Sequence, residues 1–129
     1  MTVIRSGDFF LLESTPALIS LDLASDPGCD IDVAVACPVD GVEKIVLSLG
    51  NLNDSAEIDL GDSSDDVRQI VKGQDDNDKL NGAEGVQKLL GGDGKDKLRG
   101  GPGHDILIGG PGKDDCNGGP GKDELKSCQ

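Results

Sequence analysis

The feature that most constrains this chain is a nine-residue period that begins at Gly73 and runs without a break to Lys126. Glycine fills the first position of every copy, aspartate fills the sixth in all but the second copy, and leucine fills the eighth in all but the fifth. The six copies are GQDDNDKLN (73–81), GAEGVQKLL (82–90), GGDGKDKLR (91–99), GGPGHDILI (100–108), GGPGKDDCN (109–117) and GGPGKDELK (118–126). A short fixed period with one aliphatic residue per copy predicts an all-β solenoid, in which each turn packs on its neighbours.

The composition agrees with a thin, repeated core. The 129 residues include 20 glycines and two phenylalanines but no Trp or Tyr, so burial has to come from small aliphatic side chains. The formal net charge of −13 favours cations and disfavours nucleic acid and anionic membranes as partners. Because residues 91–129 hold seven acidic and six basic side chains, cation affinity in the later copies has to come from fixed ligand geometry.

Each repeated position has a physical reason. Glycines at the first, second and fourth positions allow positive φ and a close approach of successive loops, so that backbone carbonyl oxygens converge. The aspartate at the sixth position adds a carboxylate, and this set of oxygen donors suits Ca²⁺ better than softer metals. The eighth residue points inward between two outward neighbours, which predicts a strand of three residues at positions seven to nine.

The last four copies resemble the GGxGxDxUx repeat of RTX, or haemolysin-type, calcium-binding proteins. The resemblance implies a right-handed parallel β-roll with two nonapeptides per turn and Ca²⁺ held between loops stacked on the same edge. The copies that would share an ion are 73–81 with 91–99, 91–99 with 109–117, and 100–108 with 118–126. Copy 82–90 is a weak partner because Ala83 and Gln87 replace a glycine and the aspartate. We expect about three to five Ca²⁺ ions.

Two upstream segments, LGNLNDSAE (49–57) and LGDSSDDVR (60–68), are degenerate versions of the repeat. Their spacing is longer, which predicts a wider β-helix over 42–72 that narrows into the β-roll over 73–126. Residues 1–41 contain the strand-like runs TVIR, DFFLLES and DIDVAVA and are expected to form an N-terminal β cap; 127–129 form the C-terminal end. The candidate calcium ligands are Asp54, Asp65, Asp78, Asp93, Asp96, Asp105, Asp114, Asp123, Gly91, Gly92, Gly94, Gly100, Gly101, Gly103, Gly109, Gly110, Gly112, Gly118, Gly119 and Gly121.

The four cysteines fall into two local pairs, Cys29 with Cys37 and Cys116 with Cys128. We expect two disulfides and therefore an oxidising, extracellular compartment. A zinc site is disfavoured because neither pair has the usual close ligand spacing. The N-terminal residues lack a basic region and an uninterrupted apolar stretch, so they predict neither a signal peptide nor a membrane span. Either a signal has been removed or export uses another route.

Other functions fit the sequence less well. An EF-hand starting at Asp76 would need glycine where Asn81 lies and glutamate where Gln87 lies. The glycine spacing continues periodically and no GK[ST] follows, which excludes a phosphate-binding loop. With one histidine, no tyrosine and no catalytic constellation, the sequence predicts a non-catalytic, secreted calcium-binding protein, expected to be a monomer with an unknown protein partner. The alternative is a C-terminal folding or secretion domain of a larger secreted toxin, protease or adhesin.

Overall fold

A computed structural model describes the backbone of residues 3–4, 18–22, 30–35, 44–59 and 68–129, and the side chains of 44–57 and 68–129. The regular elements of these residues are β-strands. They are β1 (Val3–Ile4), β2 (Leu18–Asp22), β3 (Asp30–Val35), β4 (Lys44–Asn51), β5 (Ser55–Asp59), β6 (Arg68–Asp75), β7 (Lys79–Asn81), β8 (Gln87–Asp93), β9 (Lys97–Arg99), β10 (Ile106–Ile108), β11 (Asp115–Asn117) and β12 (Glu124–Lys126). Within these ranges, no helix is long and apolar enough to cross a membrane.

The strands form two six-stranded sheets, one with the order β1-β3-β5-β7-β9-β11 and the other with the order β12-β10-β8-β6-β4-β2. Consecutive strands therefore alternate between the sheets, and two strands make one turn of a solenoid. From β2 onward the neighbours in each sheet are parallel. The predicted all-β parallel roll is confirmed.

The length of one turn decreases along the chain. At the N-terminal end Leu18 pairs with Lys44, which is a longer step than any in the turns of the repeats. Asp54 and Asp78, which occupy equivalent places in successive turns, are 24 residues apart, whereas Asp78 and Asp96 are 18 residues apart. The strand pairs from β6 onward all keep this shorter offset. The solenoid is thus wider at its N-terminal end, and two nonapeptides make each of the later turns.

Burial explains the strands of the repeats. Strands β7, β9, β10, β11 and β12 each occupy positions seven to nine of a copy, as the sequence predicts. The eighth residues of the first four copies are fully buried, whereas flanking residues such as Lys97 and Arg99 are exposed. The strands of the wider turns bury more aliphatic side chains, since Ile45, Leu47 and Leu49 of β4 are all buried. The core of the repeats is a single file of leucines in each sheet.

The N-terminal end contains one pair of a different kind, because β1 runs antiparallel to β3. The predicted strands TVIR and DIDVAVA correspond to β1 and β3, whereas β2 has no counterpart among the predicted runs. DFFLLES lies outside the described residues. Because β2 and β3 pair in parallel with β4 and β5, they continue the solenoid; the division of the chain into cap, wider turns, repeats and end stays a prediction.

Candidate metal centre

The residues at the sixth position of the repeats form two buried columns, one along each edge of the roll. The first column contains Asp54, Asp78, Asp96 and Asp114, and the second contains Gln87, Asp105 and Asp123. In each column the backbone N–H of one member donates to Oδ1 of the next member, one turn further, at 2.8–3.0 Å. The parallel register brings these residues, distant in sequence, into line.

The second carboxylate oxygen of four column members accepts no hydrogen bond from the part of the chain that the structure describes. These atoms are Oδ2 of Asp78, Asp96, Asp105 and Asp114, each completely buried in a residue that is 1–2% exposed. A buried carboxylate oxygen without a partner is costly, so native proteins supply it with a donor or a cation. These oxygens are therefore the atoms whose environment requires a ligand.

Each of these oxygens faces a small space beside the first glycine of its own copy. A Cβ placed on Gly91 would meet Oδ2 of Asp96 and would lie 2.7 Å from the carbonyl oxygen of Gly109. We call this space a cradle: it is the volume next to a first-position glycine that is flanked by the carboxylate of the same copy and the first-position carbonyl of the copy two further on. Because a side chain would fill it, glycine keeps the cradle open.

The same cradle occurs at two other glycines. At Gly73 the flanking atoms are Oδ2 of Asp78 and the carbonyl oxygen of Gly91, 2.5 Å from a built Cβ. At Gly100 the carbonyl oxygen of Gly118 lies 2.6 Å from a built Cβ, beside Oδ2 of Asp105. These three cradles join the three pairs of copies that the sequence predicts to share an ion. A carboxylate and backbone carbonyls form the donor set that Ca²⁺ prefers.

The loops also stack through hydrogen bonds between backbone groups. The Gly92 N–H donates to the Gly109 carbonyl at 2.9 Å, and the Gly94 N–H donates to the Pro111 carbonyl at 3.0 Å. At Gly112, which has a φ of 148°, a Cβ would meet the Gly94 carbonyl oxygen of the preceding turn. The loops therefore approach so closely that only glycine fits at this position.

The first loop of the repeats keeps the same backbone without the same glycines. Gln74 and Asp76 occupy the second and fourth positions with φ of 94° and 77°, where Gly92 and Gly94 have 115° and 151°. Both residues thus have a left-handed conformation, which costs of order 1–3 kcal/mol at a non-glycine residue.

The electrostatic state of the columns reflects their burial. Burial raises the pKa of Asp78 from 3.8 to about 7; the hydrogen bond from the Asp54 N–H opposes this rise, and the neighbouring carboxylates, above all that of Asp96, add to it. Burial also raises the pKa of Asp96 and of Asp105 above 3.8, and in each case the next carboxylate of the column adds to the rise. A divalent cation bound beside these carboxylates would stabilise their ionised form and oppose the rise in pKa.

The remaining predicted ligands lie in different surroundings. Asp54 is buried at the wide end of the first column, whereas Asp123 is half-buried at the other end of the second. Asp93 is exposed at the third position of its loop. Asp65, together with Cys29 and Cys37, lies outside the described residues. Among the residues that the structure describes, no three His, Cys, Asp or Glu side chains are grouped to hold a metal, so a calcium site here would take most of its ligands from backbone carbonyls.

Two features of the columns escaped the sequence reasoning. The Gln87 side chain occupies the sixth position of copy 82–90, where its Nε2 donates to the Glu84 carbonyl at 3.1 Å. Its Oε1 lies 3.0 Å from a Cβ built on Gly82, so a neutral oxygen points toward the cradle there. The second feature is the C-terminal tail, where the predicted disulfide between Cys116 and Cys128 is present and the Ser127 carbonyl faces Gly109. The period, extended by one residue past Lys126, was the available signal for Ser127.

Comparison with known proteins supports this assignment for the repeats. Residues 90–125 match the family of the RTX calcium-binding nonapeptide repeat, in four copies. No curated protein and no solved structure matches the chain. The matched residues cover the last four copies except Lys126, and they include the last two members of each column, so this part of the roll carries calcium-binding repeats of this family.

Proposed function

We propose, starting from the RTX calcium-binding repeats in 90–125, that this protein is an extracellular, non-catalytic calcium-binding protein whose repeats fold together with the ion. The observation that carries the proposal is the set of cradles. In each, a buried carboxylate oxygen without a hydrogen-bond partner among the described residues lies beside a backbone carbonyl from the next turn.

The coupling of folding to calcium follows from the balance of burial and charge. Each of the first four nonapeptides buries one leucine completely, which contributes about 1.5–3 kcal/mol. Ordering the backbone costs about 1–2 kcal/mol for each residue of the copy, so the leucine does not offset the lost entropy. Without a cation, the columns also place carboxylates one turn apart in a desolvated environment. Calcium stabilises the folded roll because it neutralises the columns and joins neighbouring turns.

The cradles also support the expected number of calcium ions and the expected calcium affinity. Three cradles have a carboxylate and a first-position carbonyl, at Gly73, Gly91 and Gly100, and the cradle at Gly82 has the neutral Gln87 oxygen instead. Three to five ions are consistent with this arrangement. Each ion would join two turns and order the next site, so we expect cooperative uptake with an affinity of about 10⁻⁴–10⁻³ M or somewhat tighter.

Two observations support the non-catalytic and extracellular parts of the proposal. His104 is exposed on a loop, and its Nδ1 lies 3.2 Å from the Lys122 carbonyl oxygen, which is a structural contact rather than a catalytic arrangement. The disulfide between Cys116 and Cys128 is typical of proteins in oxidising compartments. Millimolar extracellular calcium would keep sites of the expected affinity filled.

The test is a circular-dichroism titration of calcium-depleted protein with Ca²⁺ and, separately, with Mg²⁺. We expect Ca²⁺ to induce the β signal cooperatively and Mg²⁺ to fail, because Mg²⁺ demands a smaller octahedral site. The variant Asp105→Asn should weaken the response, since it removes the charge of one buried ligand. Asp115→Asn is the matched control, because Asp115 is exposed next to the first column. An unchanged β signal in the depleted protein, or equal behaviour of the two variants, would contradict the proposal.

A further inference from the structure

The C-terminal tail continues the geometry of the repeats for one more position. Ser127 follows Lys126 and therefore occupies the place of the first glycine in a further copy. A Cβ built on Gly109 would meet both the Ser127 carbonyl oxygen and Oδ2 of Asp114. This is the same pair of atoms that flanks the cradle at Gly91, where the Gly109 carbonyl has the role of Ser127.

Ser127 is held in this place from three sides. Before it, the Lys126 carbonyl accepts a hydrogen bond from the Gly109 N–H at 3.0 Å. After it, the Gln129 N–H donates to the Asp114 carbonyl at 3.1 Å. Next to it, Cys128 forms the disulfide with Cys116, which replaces the inward leucine of copy 109–117. The disulfide is the one covalent bond among these three contacts, so it is the strongest of the restraints.

The second column ends differently. At Gly118, the three atoms nearest to a built Cβ all belong to Asp123, and no carbonyl from a further turn is among them. Asp123 is half-buried, whereas Asp114 is 1% exposed. Among the described residues, the carbonyl that faces Gly109 from the next turn is thus supplied by Ser127, beside the disulfide.

We infer that the Cys116–Cys128 disulfide completes a terminal calcium site, in which Oδ2 of Asp114 and the carbonyl oxygen of Ser127 are ligands to the ion. The inference rests on the proposed calcium binding and adds a site that the pairing of nonapeptides alone does not provide. It also gives the disulfide a function in metal affinity: the bond presents a serine carbonyl where the repeats use a glycine carbonyl.

The first test compares calcium stoichiometry by isothermal titration in the full chain and in the Cys116→Ser/Cys128→Ser variant, which leaves Cys29 and Cys37 untouched. Freeing two or three tail residues should weaken one site by about 30-fold or more, and the variant should bind one ion fewer at a calcium concentration that saturates the other sites. Asp114→Asn, which keeps the disulfide, should lose the same ion. Combining the changes should cost no further ion, because both act on one site.

The second test needs no cysteine substitution. Because coupling between two equilibria is reciprocal, calcium should shift the equilibrium of the Cys116–Cys128 bond with a thiol–disulfide buffer toward the disulfide, measured by mass mapping, by a factor similar to the change in affinity. Gly109→Ala fills the cradle while both cysteines remain, so it should abolish this protection. Lys113→Ala is the control, since Lys113 is exposed on the same loop as Gly109 and should leave the protection in place.

The outcomes separate the two claims. Equal stoichiometry and affinity with and without the disulfide, or a thiol–disulfide equilibrium of this bond that does not depend on calcium, would overturn the inference and leave the bond a purely structural crosslink. A lower melting temperature of the double cysteine variant with an unchanged number of ions would also overturn it. If the oxidised full chain binds no calcium at all, the proposed function itself fails.

Discussion

Removing calcium should reverse the pH dependence of this protein's stability. Burial raises the pKa of Asp78 to about 7 and also raises the pKa of Asp96 and of Asp105. In the calcium-depleted chain, these folded-state carboxyls hold their protons at a pH where the unfolded chain has lost them. Protonation of Asp78 therefore stabilises the folded state fully below about pH 3.8, and this stabilisation is lost as the pH rises through about 7.

The expected magnitude follows from Asp78 alone. A rise in pKa from 3.8 to about 7 corresponds to about 4 kcal/mol, at about 1.36 kcal/mol for each pH unit. Asp96 and Asp105 act in the same direction. Because domains of this size are stable by about 5–15 kcal/mol, a change of this size is a large fraction of the free energy of unfolding of the depleted repeats.

The assay is far-UV circular dichroism of calcium-depleted protein between pH 8 and about pH 4.5, followed by thermal unfolding at each pH. The β signal and the melting temperature should rise on acidification without calcium and fall on acidification with saturating calcium, because protons then displace the ion. Asp78→Asn keeps an oxygen for the Asp54 N–H and removes the ionisation, so it should flatten the dependence. Asp115→Asn should not. A depleted protein whose stability increases with pH between 4.5 and 8 would refute the reasoning.

Three further predictions concern the loops. Gly112→Ala places a Cβ against the Gly94 carbonyl and should destabilise the calcium-loaded protein by more than about 2 kcal/mol. The control Lys113→Ala, at an exposed residue, should change the stability by less than about 0.5 kcal/mol. Similar melting temperatures for the two variants would contradict the close stacking of the loops. Gln74→Gly removes the strain of a φ of 94° at a non-glycine residue. It should stabilise the calcium-loaded protein by about 1 kcal/mol, seen as a higher melting temperature, and an unchanged melting temperature would show that the loop is unstrained. Gln87→Asp should add one calcium ion by titration and make the depleted roll less stable, and an unchanged stoichiometry would show that its cradle cannot hold an ion.

The sequence was sufficient for the parts of the fold that repeat. The strands at positions seven to nine and the inward leucines follow from a period of nine, because a single packing solution is used again at every turn. The pairing of loops two copies apart was implied by the resemblance to RTX repeats. The narrowing of the solenoid was also predictable, since the longer spacing upstream left room for longer strands. In the first column, Asp54 and Asp78 are 24 residues apart, which is the length of a wide turn.

The details that escaped prediction depend on backbone atoms, which any residue possesses. The Ser127 carbonyl and the Glu84 carbonyl that accepts from Gln87 leave no mark in a pattern of side chains. The strand Leu18–Asp22 lies where the repeat has faded, and its partner in the sheet is the distant strand β4. Gln74 and Asp76 take a glycine-like conformation because the neighbouring turns impose it, which local propensity does not indicate.

The taper of the solenoid has a consequence for the order in which the chain folds. Strand β4 buries three aliphatic side chains, whereas β9 buries one, so the first complete turn is easiest to form at the wide end. In a linear array each turn then adds to an existing template, and growth should proceed toward the C-terminus. Calcium availability would set the rate of each step. The last turn to form is the C-terminal one, which the disulfide between Cys116 and Cys128 crosslinks. A folding experiment at limiting calcium should therefore show a lag while the first turn forms, followed by the addition of turns one after another toward the C-terminus.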